Sequence, residues 1–159
     1  MADVARGAAR ATQSCTVGAL VASMAAVLST VLAPDDALRE ARELLAAVHD
    51  MPRHWPTLEQ ATPVSADEWG RALHAAERRA SGAPLQYAAG RASFRHLTLD
   101  VDERVLIPRP ETELLIDIVL DALRDEPGGI AVDVGTGSGA IALALANEAR
   151  FDRVIGTDV

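Results

Sequence analysis

Apolar positions recur at helical spacing in the first half of the chain, alternate briefly in the middle, and close into two short runs around glycines. Over residues 17–33, Val17, Leu20, Val21, Met24, Leu28 and Val31 fall three or four apart, while Gly18, Ser23, Ser29 and Thr30 lie away from them. That sidedness predicts a helix with one packed face. A second helix follows Ala33-Pro34, with Asp35 or Asp36 as its cap and Leu38, Ala41, Leu44, Leu45 and Val48 on one face. Met51-Pro-Arg-His-Trp-Pro56 breaks it. Ser65-Ala-Asp-Glu68 has the spacing of a capping box and opens a third helix, with Trp69, Leu73, Ala76 and Ala80 on one side. Gly82 ends that helix and Pro84 prevents its return. Residues 1–82 therefore read as a helical domain, with residues 1–14 disordered and Trp55 and Trp69 as large core residues.

From residue 83 the period changes. Residues 93–101 alternate, with Leu97, Leu99 and Val101 on one side; Asp102-Glu-Arg104 is a polar turn and residues 105–107 run back. This predicts a β-hairpin within a linker of residues 83–107. In Ile107-Pro-Arg-Pro-Glu-Thr-Glu113 two prolines hold Arg109 extended and start a helix to about residue 124. Its inward face is expected to be Leu114, Leu115, Ile118, Val119 and Leu123. Read from residues alone, the Arg109, Thr112 and Glu113 turn serves better as a helix cap than as chemistry. Residues 130–134, apolar and β-branched behind Pro127-Gly128-Gly129, predict a strand buried on both faces. Residues 140–149 have the Ala/Leu content of a helix, and residues 153–158 predict a second strand. The whole reads as α/β, with residues 108–159 the start of a parallel sheet that stops after its second strand.

Composition narrows the classes. The 159 residues carry a net charge of −8, and all 15 cations are Arg. Such a surface has no electrostatic footprint for nucleic acid or an anionic membrane. A single cysteine, Cys15, excludes an internal disulfide and a cysteine-based zinc site, and it reads as inert beside an apolar helix. His49, His54 and His74 have no metal-ligand spacing and are expected in surface or capping roles. Arg6 and Arg10 before an uncharged stretch that ends in Val31-Leu-Ala33 imitate a secretion signal. The stretch has a sidedness that a signal does not need, so a packed helix in a cytoplasmic protein is the better reading.

The chemistry concentrates at Asp133-Val-Gly135-Thr136-Gly137-Ser138-Gly139. A strand, a glycine turn and a helix N-terminus form a ligand site, because glycines admit a ligand close to the backbone and the first helical turn has unpaired N–H groups. Gly135-x-Gly137-x-x-Ala140 meets the dinucleotide fingerprint. Asp133, inside the strand, either holds the ammonium of an amino-acid-like ligand or braces the loop. Together with Gly139 it makes Asp-x-Gly-x-Gly-x-Gly, the pattern of S-adenosylmethionine-dependent methyltransferases. Asp158, at the end of the next strand, suits hydrogen bonds from both hydroxyls of a ribose.

Gly82-Ala-Pro-Leu-Gln-Tyr87, then Gly90, Phe94, Leu99 and Val101, then Ile107-Pro-Arg-Pro-Glu-Thr-Glu113, then the glycine turn, resemble the release-factor glutamine methyltransferase family in order and spacing. The resemblance covers residues 82–159; the helices before it are similar in kind to the family's N-terminal helical domain. It implies a Rossmann-like class I methyltransferase fold and S-adenosyl-L-methionine as cofactor. The implied reaction is methylation of the amide nitrogen of glutamine in the Gly-Gly-Gln loop of a peptide chain release factor. Asp133 and residues 135–139 would line the cofactor, Asp158 would take its ribose, the helical domain would help to dock the release factor, and Arg109, Thr112 and Glu113 would lie near the active site. The family's Asn-Pro-Pro-Tyr motif does not occur in these 159 residues, so no catalytic residue is assigned and the chain is expected to be an N-terminal fragment. An NAD(P)-binding oxidoreductase fragment and a non-catalytic interaction module are the alternatives.

Overall fold

The structure, a computed structural model, describes residues 15–125 and 128–159; the disorder expected for residues 1–14 lies outside these. Helix α1 (Val17–Leu28) is capped by Thr16, whose Oγ1 accepts from the Ala19 N–H at 3.3 Å. It stops well short of residue 33. The Ser29 and Thr30 hydroxyls donate to the Ala25 and Val27 carbonyls, closing the last turn and leaving Val31 exposed. Helix α2 (Pro34–Val48) also corrects the expectation: Ala33 is its N-cap, without a side-chain bond. Pro34 fits the first turn, where a missing N–H costs nothing, and Asp35 and Asp36 face the positive end of the helix from within it. The buried stripe runs through Ala37, Ala41, Leu44 and Leu45, and Leu38 points outward.

A short helix α3 (Trp55–Leu58) lies in the expected break. In α4 (Ala66–Ala80) the capping box is present: Ser65 Oγ accepts from the Glu68 N–H at 3.2 Å, and the Glu68 carboxylate accepts from the Ser65 N–H at 2.7 Å. Ala72, Ala75 and Ala76 bring α4 close to α1 and α2 around Leu20, Met24, Leu28, Leu44 and Leu45. Trp55 and Trp69 only border this core: aliphatic side chains fill its centre. Glu40, buried on α2, pairs with Arg79 of α4, so the charge does not enter the core alone. Far from stopping helix formation, Pro84 caps a further helix, α5 (Leu85–Ala89), which Gly90 ends at φ +74°.

A hairpin follows, displaced from the expected place. Strands β1 (Arg91–Phe94) and β2 (Leu97–Asp100) pair antiparallel, Phe94 opposite Leu97, around Arg95-His96. Residues 105–107 form no strand; instead the Val105 carbonyl accepts from the Tyr87 hydroxyl at 2.7 Å. Helix α6 (Pro110–Ala122) starts at the expected proline but turns another face inward. Ile116 is fully buried, with Val119 and Leu120 beside it, whereas Leu114, Leu115 and Ile118 are 61%, 45% and 58% exposed.

Strands β3 (Ile130–Val134) and β4 (Arg153–Thr157) pair in parallel, Asp133 opposite Gly156, and α7 (Ala140–Glu148) connects them. Ala131 packs toward α7, but Ile130, Val132 and Val134 point to the opposite side and are 64%, 58% and 82% exposed. The strand is therefore covered on one face, not on both. Among the described residues the result is a mixture of helix and strand with two small sheets. Among the described residues no helix is long and apolar enough to cross a membrane.

Candidate functional site

The turn from β3 into α7 is built by three glycines with positive φ: Gly135 at +77°, Gly137 at +52° and Gly139 at +79°. Only glycine adopts this region freely. A Cβ at Gly135 or Gly137 would meet no protein atom within 4 Å, so the turn presents an open cradle rather than a crowded corner. The Gly135 and Thr136 N–H groups both donate to the Thr157 carbonyl, at 2.8 and 3.0 Å, which ties the turn to the end of β4.

Asp133 performs one of its two expected roles. Its Oδ2 accepts from Thr136 Oγ1 at 2.7 Å and from the Ala142 N–H at 3.2 Å, so one carboxylate joins the strand, the turn and the first turn of α7. That is a brace. The sequence reading missed the residue that makes it possible: a Cβ on Gly156 would lie 2.9 Å from Thr136 Oγ1, so Thr136 can seat over β4 only because position 156 has no side chain. A glycine inside a strand is the signal for such close approach.

Asp158 lies beside the turn. Its Oδ2 accepts from the Gly137 N–H at 2.6 Å and its Oδ1 from the Val159 N–H at 2.8 Å. These bonds, that from Gly137 first, hold its carboxyl below the usual carboxylate range. Gly137 and Asp158 form one wall of a cavity of about 560 Å³ that Gly90, Asp100, Val101 and Asp102 face from the hairpin end. Arg78 and Arg104 reach its rim already paired, with Glu103 and Asp102 respectively. The Arg104 guanidinium holds the Asp102 carboxyl down to about 2. Ser138 and Gly139 open instead onto a shallower hollow beside Leu143.

Arg109, Thr112 and Glu113 do not gather at this cavity. Arg109 is the exposed N-cap of α6, and its carbonyl accepts from the Thr112 N–H at 3.0 Å. Glu113 Oε1 accepts from the main-chain N–H of Arg95 at 2.9 Å, in the hairpin turn. Of the surface or capping roles expected for it, His49 takes the second: it is the C-cap of α2, against Trp55, with Nε2 buried and without a hydrogen-bond partner. Burial lowers its pKa, only partly opposed by Glu68.

An open three-glycine cradle with an acid at the end of the next strand has the geometry of a ligand site suited to a ribose. Residues 23–90 match the family described as the PrmC N-terminal domain. The chain is 42% identical over 119 residues to the release factor glutamine methyltransferase of Aliivibrio fischeri, covering 75% of this chain and 42% of that protein. It is 44% identical over 117 residues to the protein of the same name from Streptomyces coelicolor, covering 72% and 40%. To that of Gloeobacter violaceus it is 56% identical over 63 residues, covering 40% and 22%. The chain is thus similar to proteins named release factor glutamine methyltransferase, as its motifs suggested, and the similarity includes its helical part. It spans about two fifths of the length of these relatives.

Proposed function

We propose that this chain carries the cofactor-binding part of an S-adenosyl-L-methionine-dependent methyltransferase acting on the Gly-Gly-Gln glutamine of a peptide chain release factor, in the cytoplasm. The observation that carries the reading is Asp158 against Gly137 on the wall of the cavity. The open cradle leaves room for a ligand along residues 135–139, and Asp158 stays ionised at neutral pH as an acceptor for ribose hydroxyls. A carboxylate has about four acceptor positions, so the bond from Gly137 leaves capacity for both. Asp133 keeps the turn in shape, with Thr136 as its contact, while Ser138 and Gly139 start the helix that presents the turn.

When bound, the cofactor supplies a methyl group on a sulfonium centre. An amide nitrogen is a weak nucleophile, so its NH₂ must be held by acceptors and aligned. No residue of this chain is assigned to that task, since Asn-Pro-Pro-Tyr does not occur in it. Residues 1–82 would serve as the docking unit for the release factor, 83–107 as a linker, and 108–159 as the start of a Rossmann-like unit. The parallel pairing of β3 with β4 through α7 supports that last assignment. Calorimetric titration with S-adenosylhomocysteine and with NADH is the test. Binding of the first alone is expected, and Asp158→Ala should weaken it at least about tenfold, through the loss of charge-assisted bonds. Binding of NADH alone, or unchanged affinity in the variant, would refute the assignment.

A further inference from the structure

Arg95 belongs to no motif that the sequence reading used, yet its donors hold three elements together. It stands in the hairpin turn at φ +53°, a conformation unusual for a side chain of its size. Its Nε and one terminal nitrogen donate to the two oxygens of Glu148 at 2.7 and 2.6 Å. The other terminal nitrogen donates to Asp117 at 2.7 Å and to the Glu113 carbonyl at 3.1 Å. With the main-chain bond to the Glu113 carboxylate, the hairpin turn is fastened to α6 at two successive turns and to the last residue of α7. The Arg95 side chain is only 13% exposed.

The position of this clamp relative to the cavity is what gives it meaning. Helix α7 is preceded by its N-cap Gly139, in the glycine turn, and ends at Glu148, in the clamp. The hairpin runs from Arg95, in the clamp, to Asp100 and Val101, which face Gly137 and Asp158 across the cavity. The 9-residue helix and the 4-residue strands are both about 13 Å long, so they join the clamp to the two walls of the cavity as arms of equal length. Ala92, Phe94 and Leu99 of the hairpin share one buried apolar cluster with Ala140 and Ala144 of α7. Apolar packing keeps the arms together but is non-directional, whereas a bidentate guanidinium–carboxylate pair fixes direction.

We propose that Arg95 is a positioning residue for the cofactor cavity: through Glu113, Asp117 and Glu148 it sets the hairpin wall at a fixed distance from the glycine turn. Glu113 then acts in the motif Ile107-Pro-Arg-Pro-Glu-Thr-Glu113 by holding the hairpin, not by contact with a reacting group. The inference rests on the reading of that cavity as the cofactor's.

The test uses the full chain and the variants Arg95→Gln, Glu148→Gln and Asp158→Ala. Amide hydrogen exchange without ligand, thermal melting, and calorimetric titration with S-adenosylhomocysteine are measured on each. In Arg95→Gln, exchange at residues 97–102 should quicken about tenfold while the helical domain is unchanged, and affinity should fall about tenfold with the cooperative melt retained. Glu148→Gln keeps one acceptor and should show a smaller shift in the same residues. Asp158→Ala should lose affinity with hairpin exchange unaltered. Unchanged exchange in both clamp variants, or exchange that quickens uniformly over the chain, would overturn the positioning role. Failure of the unsubstituted chain to bind S-adenosylhomocysteine would overturn the cofactor reading, and the exchange data would still decide whether Arg95 holds the hairpin.

Discussion

Adding one methyl group at Gly156 should damage the glycine turn more than adding one inside the turn itself. Gly156 is in β4 with no positive φ, so alanine there meets no backbone penalty. Its Cβ would instead stand 2.9 Å from Thr136 Oγ1 and 3.2 Å from Thr136 Cγ2, below normal contact. Thr136 must move, and its hydroxyl is the donor at 2.7 Å to Asp133. Overpacking of this kind costs about 1–3 kcal/mol. Weakening a hydrogen bond to a carboxylate adds about 1–2 kcal/mol, since Asp133 keeps its bond from Ala142. The sum, about 2–5 kcal/mol, corresponds to a fall of roughly 4–20 °C in Tm for a chain of this size.

Gly137→Ala provides the contrast. Its Cβ has open space and its cost is the left-handed backbone alone, about 1–2 kcal/mol. The decisive measurement is a double-mutant cycle by thermal melting on Gly156→Ala, Thr136→Ala and the pair. Thr136→Ala removes both the crowded atoms and the bond, so the pair should be more stable than the sum of the single effects by about 1–3 kcal/mol. Additive effects, or a Gly156→Ala variant as stable as the parent chain, would show that Thr136 does not seat against β4 as described.

Three other outcomes follow from different parts of the fold. His49 is held below its ordinary value of 6.5 by burial, so the unfolded chain binds the extra proton first. Stability should be greatest well above pH 6.5 and fall as pH drops below it, with Glu68 opposing the loss and Arg71 and Arg91 adding to it. Urea midpoints at pH 7.5 and 5.5 should differ, and the difference should vanish in His49→Gln; its persistence would exclude His49. Residues 15–90 contain the whole core around Leu20, Met24 and Leu44, including the partly buried Leu85 of α5, so this piece should lose helical circular dichroism cooperatively on heating. A gradual, featureless melt would contradict that. The bare side of β3, with Ile130, Val132 and Val134, and the exposed Leu114, Leu115 and Ile118 of α6 should promote self-association. The mass from light scattering should rise with concentration and do so less in Val132→Thr, and a concentration-independent monomer would argue against it.

The elements were legible where a local signal names a residue. Ser65 and Glu68 form the box that their spacing describes, Pro110 starts α6, and the glycine turn stands between β3 and α7. Where a partner decides, the sequence was mute. In α2, Ala37 and Leu38 suit a helix equally, and only the approach of α1 and α4 selects Ala37 for the core. In α6 the apolar residues Leu114, Leu115 and Ile118 together outweigh Ile116 on any count of hydrophobicity, yet Ile116 is the one that joins the buried cluster of Phe94 and Leu99. The hairpin turn was missed because Arg95-His96 contains no glycine, asparagine or proline. What stabilises Arg95 at positive φ comes from Glu113, 18 residues further along, so no window centred on the turn could contain it.

The same distinction applies to the site, and it explains why Asp133 could not be assigned from its position. Inside a strand two residues before a glycine, an acid can face a ligand or its own chain, and both need the same spacing. The deciding factor is whether a donor of the protein lies within about 3 Å of the carboxylate before any ligand arrives. Thr136 supplies that donor, and Gly156, 23 residues beyond Asp133, makes the space for it. Asp158 has internal bonds too, but only from main-chain N–H groups, and it stands exposed at the cavity. An acid half-buried beneath the turn, with bonds from a hydroxyl and a helix N–H, is committed to structure. An acid in the open with acceptor positions to spare is the one that can exchange water for the hydroxyls of a ligand.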